Sequence, residues 1–286
     1  VGGGAIKITV ASTLDIDGTV SADGGAAGTW AGGGSGGSVY LSTNGTLTGT
    51  GSVTADGGVA HSAGAGGGGG RVAIYYNADS SSISKQTYGG AGADQTYRFG
   101  GAGTVYTKAS GDSHGDLLID NNGKTNTQEL YRGRTTLTAS GDSASFTFDD
   151  LTIQDYGNLE LNSATTISTS GTFTWSSNGV VTDHGGTMSP FSSGGALTVG
   201  SGSFLFADTN RSYTGVTVNA NGVLTHSQNY TTARGQWYDI DYTITSSGNF
   251  TVNSGGLVDL EGKGYTTGQG PGFGPDPNYG SGASHG

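Results

Sequence analysis

Residues 1–33 read VGGGAIKITVASTLDIDGTVSADGGAAGTWAGG, and residues 34–66 read GSGGSVYLSTNGTLTGTGSVTADGGVAHSAGAG. Laid over one another without a gap, they agree at 12 of 33 positions, among them Leu14/Leu47, Gly18/Gly51, Val20/Val53 and the run Ala22-Asp23-Gly24-Gly25 over Ala55-Asp56-Gly57-Gly58. The register continues past the second copy. Ile6, Val39, Val72 and Val105 each open an apolar segment behind a glycine cluster, each 33 residues from the last. Self-similarity at a fixed period is the signature of a repeat architecture.

Thirty-three residues is also the ankyrin period, but that repeat needs two amphipathic helices. Here the segments are Ala5-Ile6-Lys7-Ile8-Thr9-Val10, Val39-Tyr40-Leu41-Ser42 and Arg71-Val72-Ala73-Ile74-Tyr75-Tyr76, which alternate at period two as half-buried strands do. Ile6, Ile8 and Val10 are expected to face inward. A second strand in each copy, around Val20 and Val53, ends at Asp-Gly-Gly, where glycine supplies the backbone freedom of a sharp reversal. A strand recurring at a fixed interval, in copies too small to bury their own faces, predicts an all-β fold, a parallel β-solenoid. Ile6, Val39, Val72 and Val105 then form one internal ladder. The competing fold is an antiparallel sandwich with glycine-rich hairpins.

Composition supports the β reading. The chain has 286 residues with 58 glycines and only 12% charged residues, and glycine, serine, threonine and asparagine all rank low in helix propensity. Glycine without a three-residue period, beside only 4 prolines, excludes collagen. The formal charge of −11 opposes binding to nucleic acid or to an anionic membrane surface. No apolar run is long enough to span a bilayer. With 0 cysteines there is no disulfide framework and no thiolate metal site. An opening Val1 without a basic n-region or signal core reads as a processed or excised piece.

Long glycine-rich arms, 24–37, 57–70 and 89–103, separate the strand groups. They are either mobile loops or packed extended helices of the polyproline-II type, bonded side by side through bare backbone. From about Thr135 the clusters thin out, and strand pairs joined by Gly or Asn-Gly follow: Leu151-Thr152-Ile153 before Leu159-Glu160-Leu161, and Val216-Thr217-Val218 before Val223-Leu224. These are hairpins or successive sides of one coil; the second choice predicts shorter coils of about 20–26 residues. The organisation expected is glycine-rich 33-residue repeats over 1–132, shorter coils over 133–262 and a glycine/proline-rich arm over 263–286.

Candidate chemistry is sparse. Asp149-Asp150, Asp15/Asp17 and Asp239/Asp241 could serve acid–base work on a polysaccharide, yet the i, i+2 pairs share one face of a strand, the solvated one. His61, His114, His184, His226 and His285 show no metal-binding spacing. Residues 89–94 resemble a single calcium-roll nonapeptide without the tandem copies that build such a site, so no cofactor is expected and calcium stays a possible but unsupported ligand. Tyr40, Tyr75 and Tyr106 point outward in this register, to bind carbohydrate or a neighbouring subunit, or to cover sheet edges.

The segments 32–41 (GGGSGGSVYL), 53–58 (VTADGG), 66–76 (GGGGGRVAIYY) and 262–272 (GKGYTTGQGPG) resemble glycine-rich repeat regions of very large prokaryotic cell-surface and adhesin-like proteins. That resemblance implies an extracellular or cell-surface β-solenoid with structural or adhesive work and no catalytic residues. The expected partner is the protein itself, because the sequence offers no cap for either end. Val1, Gly4, Ile6, Ile8 and Val10 of one unit are expected to lie against Phe250, Val252, Val258 and Leu260 of another, as a head-to-tail homopolymer or as tandem copies in a larger chain. The alternative is a β-helical polysaccharide-binding module or carbohydrate-active enzyme, with surface glycans as partner.

Overall fold

The computed structural model describes residues 1–93, 98–124, 133–138, 142–227, 240–245 and 248–264. Over these the protein is all-β, without a helix, and its strands are mostly parallel and distributed over several sheets.

The first ten strands are β1 (Ala5–Val10), β2 (Leu14–Asp15), β3 (Thr19–Ser21), β4 (Ser38–Thr43), β5 (Thr46–Thr48), β6 (Ser52–Thr54), β7 (Arg71–Tyr76), β8 (Ala78–Asp79), β9 (Ser84–Gln86) and β10 (Thr104–Ala109). They sort by their place in the repeat: β1, β4, β7 and β10 are successive neighbours in one sheet, β2, β5 and β8 form a second, and β3, β6 and β9 a third. Register follows the sequence period. Ile6 pairs with Val39, Val39 with Val72 and Val72 with Val105, while Leu14 meets Leu47 and Val20 meets Val53. Every pair puts like on like, so Val39, Leu41, Leu47, Val53 and Ile74 are shut from solvent. Each contributes roughly 1.5–3 kcal/mol by leaving water. Gly49 turns one corner at φ +107°, where a Cβ would also stand 2.2 Å from the Ile16 carbonyl oxygen.

The arms are ordered by their backbones. Gly24, Ala27, Gly33 and Gly36 donate N–H bonds of 2.7–3.0 Å to Asp56, Val59, Ala65 and Gly68 of the next arm. The steps of three within each limb match the three residues per turn of a polyproline-II helix. Each arm is also stitched to itself, Gly34 N–H to Gly25 O at 3.0 Å and Gly37 N–H to Ala22 O at 2.7 Å, and the next arm repeats this with Gly67 to Gly58 and Gly70 to Ala55. Packed extended limbs, rather than loose loops, are what the glycines build. The Asp of each Asp-Gly-Gly bonds to the layer after it, since Asp23 Oδ1 accepts the Asp56 N–H and Asp56 Oδ1 accepts the Tyr88 N–H, both at 2.7 Å.

The remaining strands are β11 (Asp116–Asp120), β12 (Thr135–Thr136), β13 (Ala144–Phe148), β14 (Leu151–Gln154), β15 (Asn158–Asn162), β16 (Thr165–Thr169), β17 (Phe173–Trp175), β18 (Val180–His184), β19 (Ala196–Val199), β20 (Phe204–Ala207), β21 (Arg211–Tyr213), β22 (Gly215–Val218), β23 (Val223–Thr225), β24 (Tyr242–Ile244), β25 (Phe250–Val252) and β26 (Leu257–Asp259). The strands flanking each short turn, β14 and β15 or β22 and β23, lie in different sheets, so they are not hairpins. One sheet runs β12-β15-β18-β20-β23-β26 and another β19-β22-β25. Spacing is less regular than the expected 20–26 residues. Leu159 pairs with Val181 and Leu205 with Leu224, offsets of 22 and 19, but Leu117 pairs with Leu151 and Leu224 with Val258, both offsets of 34. A ladder fixes only its strands, and lengthening the loops between them costs little.

Between the two parts stands one antiparallel pair. β10 and β11 pair with Val105 opposite Leu118 and Tyr106 opposite Leu117, after which β14 and β17 extend the same sheet parallel to β11. Directly opposed residues share a face. Val105 and Leu118 belong to the core of the first ten strands, whereas Leu117, Ile119, Leu151 and Ile153 form a second core, with Tyr106 packed against it. The seven-stranded sheet therefore carries one core on each face. Strand direction and inward face reverse together, at the turn between 109 and 116, upstream of the composition change near 132.

Candidate functional site

β1 is the outermost strand of the seven-stranded sheet, and β2 and β3 are outermost in theirs. On this head edge Ile6 is 42% exposed, although its register partners Val39 and Val72 are buried. Ile8 and Val10 are half-buried against the first core, and Val1 is fully exposed. Val1 and Gly4 belong to the glycine layer: Val1 O accepts the Gly25 N–H at 2.8 Å and Gly4 O accepts the Ser38 N–H at 2.9 Å. The other end is symmetrical in kind. β25 and β26 are outermost in their sheets, and Phe250, Val252, Val258 and Leu260 are 38–56% exposed. Leu257, not singled out by the sequence, joins them at 49%. Beneath them a cavity of about 360 Å³ is lined by Leu224, Ile240, Tyr242, Phe250, Val258 and Leu260. The nine expected interface residues thus lie on two separate edges, one per core, and one molecule does not bring the two sets together.

The inner ends of the same cores are finished differently. Where β5 and β6 place Leu47 and Val53, the next layer places Asp79 and Lys85, and their charged groups pair at 3.9 Å. Charges on an edge strand block further pairing there. At the start of the second core Tyr106 packs against it, the last of a row of three tyrosines. Tyr40, Tyr75 and Tyr106 stack along the sheet at 5.2 and 5.7 Å between ring centres, and Tyr106 meets Phe148 edge-on at 6.3 Å. Tyr106 thus points away from the first core but into the second. Lys7 Nζ lies 4.9 Å from the Tyr40 ring centre and ends the row.

Of the carboxylates considered for acid–base work, Asp15, Asp17, Asp149 and Asp150 are engaged in holding layers together. Asp149 accepts from the His114 and Gly115 N–H groups and from Ser170 Oγ, bonds that hold its pKa down at about 2, the Ser170 bond first. Asp150 Oδ1 accepts the Thr172 N–H at 2.6 Å. Asp15 accepts from Thr48 Oγ1, and Asp17 from the Thr50 N–H. Asp239 and His285 lie outside the described residues, as does Asp94 of the calcium-roll-like segment. A cluster the sequence did not reveal joins Arg134, Glu160 and His184: Glu160 Oε1 is 3.1 Å from Arg134 Nη1 and 3.2 Å from His184 Nε2. These contacts, the His184 bond foremost, lower the Glu160 pKa. Asp183, fully buried, takes two bonds from Arg211 at 2.6 and 2.9 Å. Among the described residues no group of three or more His, Asp or Glu side chains is placed to hold a metal ion.

The chain matches no known protein family, no characterised protein and no solved structure. Among the described residues no helix is long and apolar enough to cross a membrane.

Proposed function

We propose that the protein is an extracellular structural subunit, a β-solenoid in two stacks that joins head-to-tail into a filament or surface stalk. The carrying observation is the contrast between ends: the inner end of the first core is closed by an ion pair and Tyr106 packs against the start of the second, while the outer ends present apolar edge strands. An apolar strand edge left open, where the inner end of the same core is closed by charge, is suited to being paired. The two parts fit one winding. Strand direction and core face both invert at the β10–β11 turn, and the two inversions cancel, so both stacks wind with the same hand. The head of one unit can therefore continue the tail of another in parallel, and its apolar edge would cover the cavity beneath Val258. Such a heterologous contact does not close on itself and gives an open filament. The same joint serves separate subunits and tandem copies in one longer chain. The polysaccharide reading is less supported, because Asp15, Asp17, Asp149 and Asp150 are committed to hydrogen bonds from hydroxyl and backbone N–H groups.

Sedimentation velocity and electron microscopy test the proposal. The protein should form fibres, and removal of residues 1–10, or the pair Ile6→Pro and Ile8→Pro, should leave monomers. Fibres of unchanged repeat from the truncated protein would overturn it, as would turnover of a polysaccharide that is lost in Asp149→Asn or Asp150→Asn.

A further inference from the structure

The glycine arms show three times what lies beside a returning limb. Limbs 34–37, 67–70 and 100–103 each donate two backbone bonds to the limb that left the strands before them: Gly37 to Ala22, Gly70 to Ala55 and Gly103 to Thr87, each at 2.7 Å, with Gly34, Gly67 and Gly100 donating the second. The outgoing limbs bond in turn to one another, Ala22 N–H to Thr54 O and Gly24 N–H to Asp56 O. Val1 to Gly4 is a fourth returning limb, since Gly3 N–H donates to Ser35 O at 2.8 Å as Gly36 does to Gly68 O. The Gly4 N–H and the carbonyls of Ser21 and Asp23, counterparts of Gly37 N–H and of Thr54 and Asp56 O, have no backbone partner among the described residues. Together they outline the berth of one more outgoing limb. Its occupant must carry glycine at one point, because a Cβ on Gly24 or Gly57 would lie 1.9–2.0 Å from the carbonyl oxygen of the returning limb.

We propose that residues 260–264 of a second copy fill this berth. The proposal rests on the head-to-tail reading and fixes its register. Val258-Asp259-Leu260-Glu261-Gly262 lines up with Val53-Thr54-Ala55-Asp56-Gly57 and with Val20-Ser21-Ala22-Asp23-Gly24: apolar at the strand centre, carboxylate next to last, glycine where the berth demands it. β26 of one copy then lies over β3 of the next, Val258 opposite Val20 and Asp259 opposite Ser21. β24 and β25 fall over β1 and β2 in the same order, and Gly262 reaches Val1 O as Gly24 reaches Gly34 O. Seating opens the turn in which Lys263 N–H meets Leu260 O at 3.2 Å. Gly262, at φ +66° with open space around it, can make that change because glycine accepts either sign of φ.

The absence of native cysteine makes cross-linking a clean test. Adjacent strands lie about 4.8 Å apart, within disulfide reach. A mixture of Ser21→Cys and Asp259→Cys chains, mildly oxidised, should yield a dimer linked between 21 and 259, identified by mass spectrometry. Val10→Cys mixed with Asp259→Cys should not link. Gly262→Val, checked for folding by circular dichroism, should lose assembly. Linkage through Val10→Cys without linkage through Ser21→Cys, in protein that still forms fibres, overturns the register and leaves head-to-tail stacking standing. Absence of any association in the unmodified protein overturns both.

Discussion

A Cβ added to Gly67 would stand 1.9 Å from the carbonyl oxygen of Gly34, whereas one added to Gly28 would meet open space. Gly67→Ala should therefore destabilise the protein by about 1–3 kcal/mol, as overpacking does. Gly28→Ala should be neutral or slightly stabilising, since it only restricts the unfolded chain. Urea unfolding of the two variants measures the difference. Asp149 gives the second prediction at this scale. Its folded pKa of about 2 is below the ordinary 3.8, so its contribution is complete above the unfolded value and fades as pH falls toward 2. Asp149→Asn should lower Tm at pH 7, and the gap to the unmodified protein should close between about pH 4 and pH 2. The Asp-Gly-Gly motif was legible in sequence because its residues are adjacent and repeated. Arg134, Glu160 and His184 were not, because each is more than twenty residues from the next and only irregular offsets bring them together.

Among the elements, the arms show what composition alone leaves open. A glycine-rich stretch satisfies a loop and a packed limb equally well, and only neighbouring limbs decide, by accepting N–H groups every third residue. Amides of Gly24, Ala27, Gly33 and Gly36 should exchange slowly in hydrogen-exchange NMR, while those with no partner exchange fast. Free-peptide rates at all four would refute the packed arrangement. β1, β4 and β7 were readable from their alternation, and the four-fold ladder through Val105 followed. The direction of β11 was not. Asp116-Leu117-Leu118-Ile119-Asp120 alternates as well backwards as forwards, and three consecutive apolar residues conceal a strand with a core on each side. For the same reason Tyr106 reads as an outward tyrosine, although it packs against Phe148 of the second core.

At the scale of the molecule, the proposed head-to-tail joint depends on end chemistry. Asp79 and Lys85 close the inner end of the first core at positions the layer before gives to Leu47 and Val53. The double substitution Asp79→Leu and Lys85→Val should leave the monomer folded but add a sticky edge, seen as larger or branched assemblies in light scattering and electron microscopy. Unchanged assembly would mean that the ion pair does not guard that end. The β10–β11 turn reaches further still. Because the two cores lie on opposite faces of one sheet, the proposed two-stack solenoid has two lengths that are set independently. Duplicating a 33-residue unit ahead of the turn would lengthen only the first stack, by about 4.8 Å per copy, and leave every contact of the second as it was. At the level of the gene, two lengths are open to change separately, and copying either array in frame alters the reach of one arm of the molecule without redesigning the other.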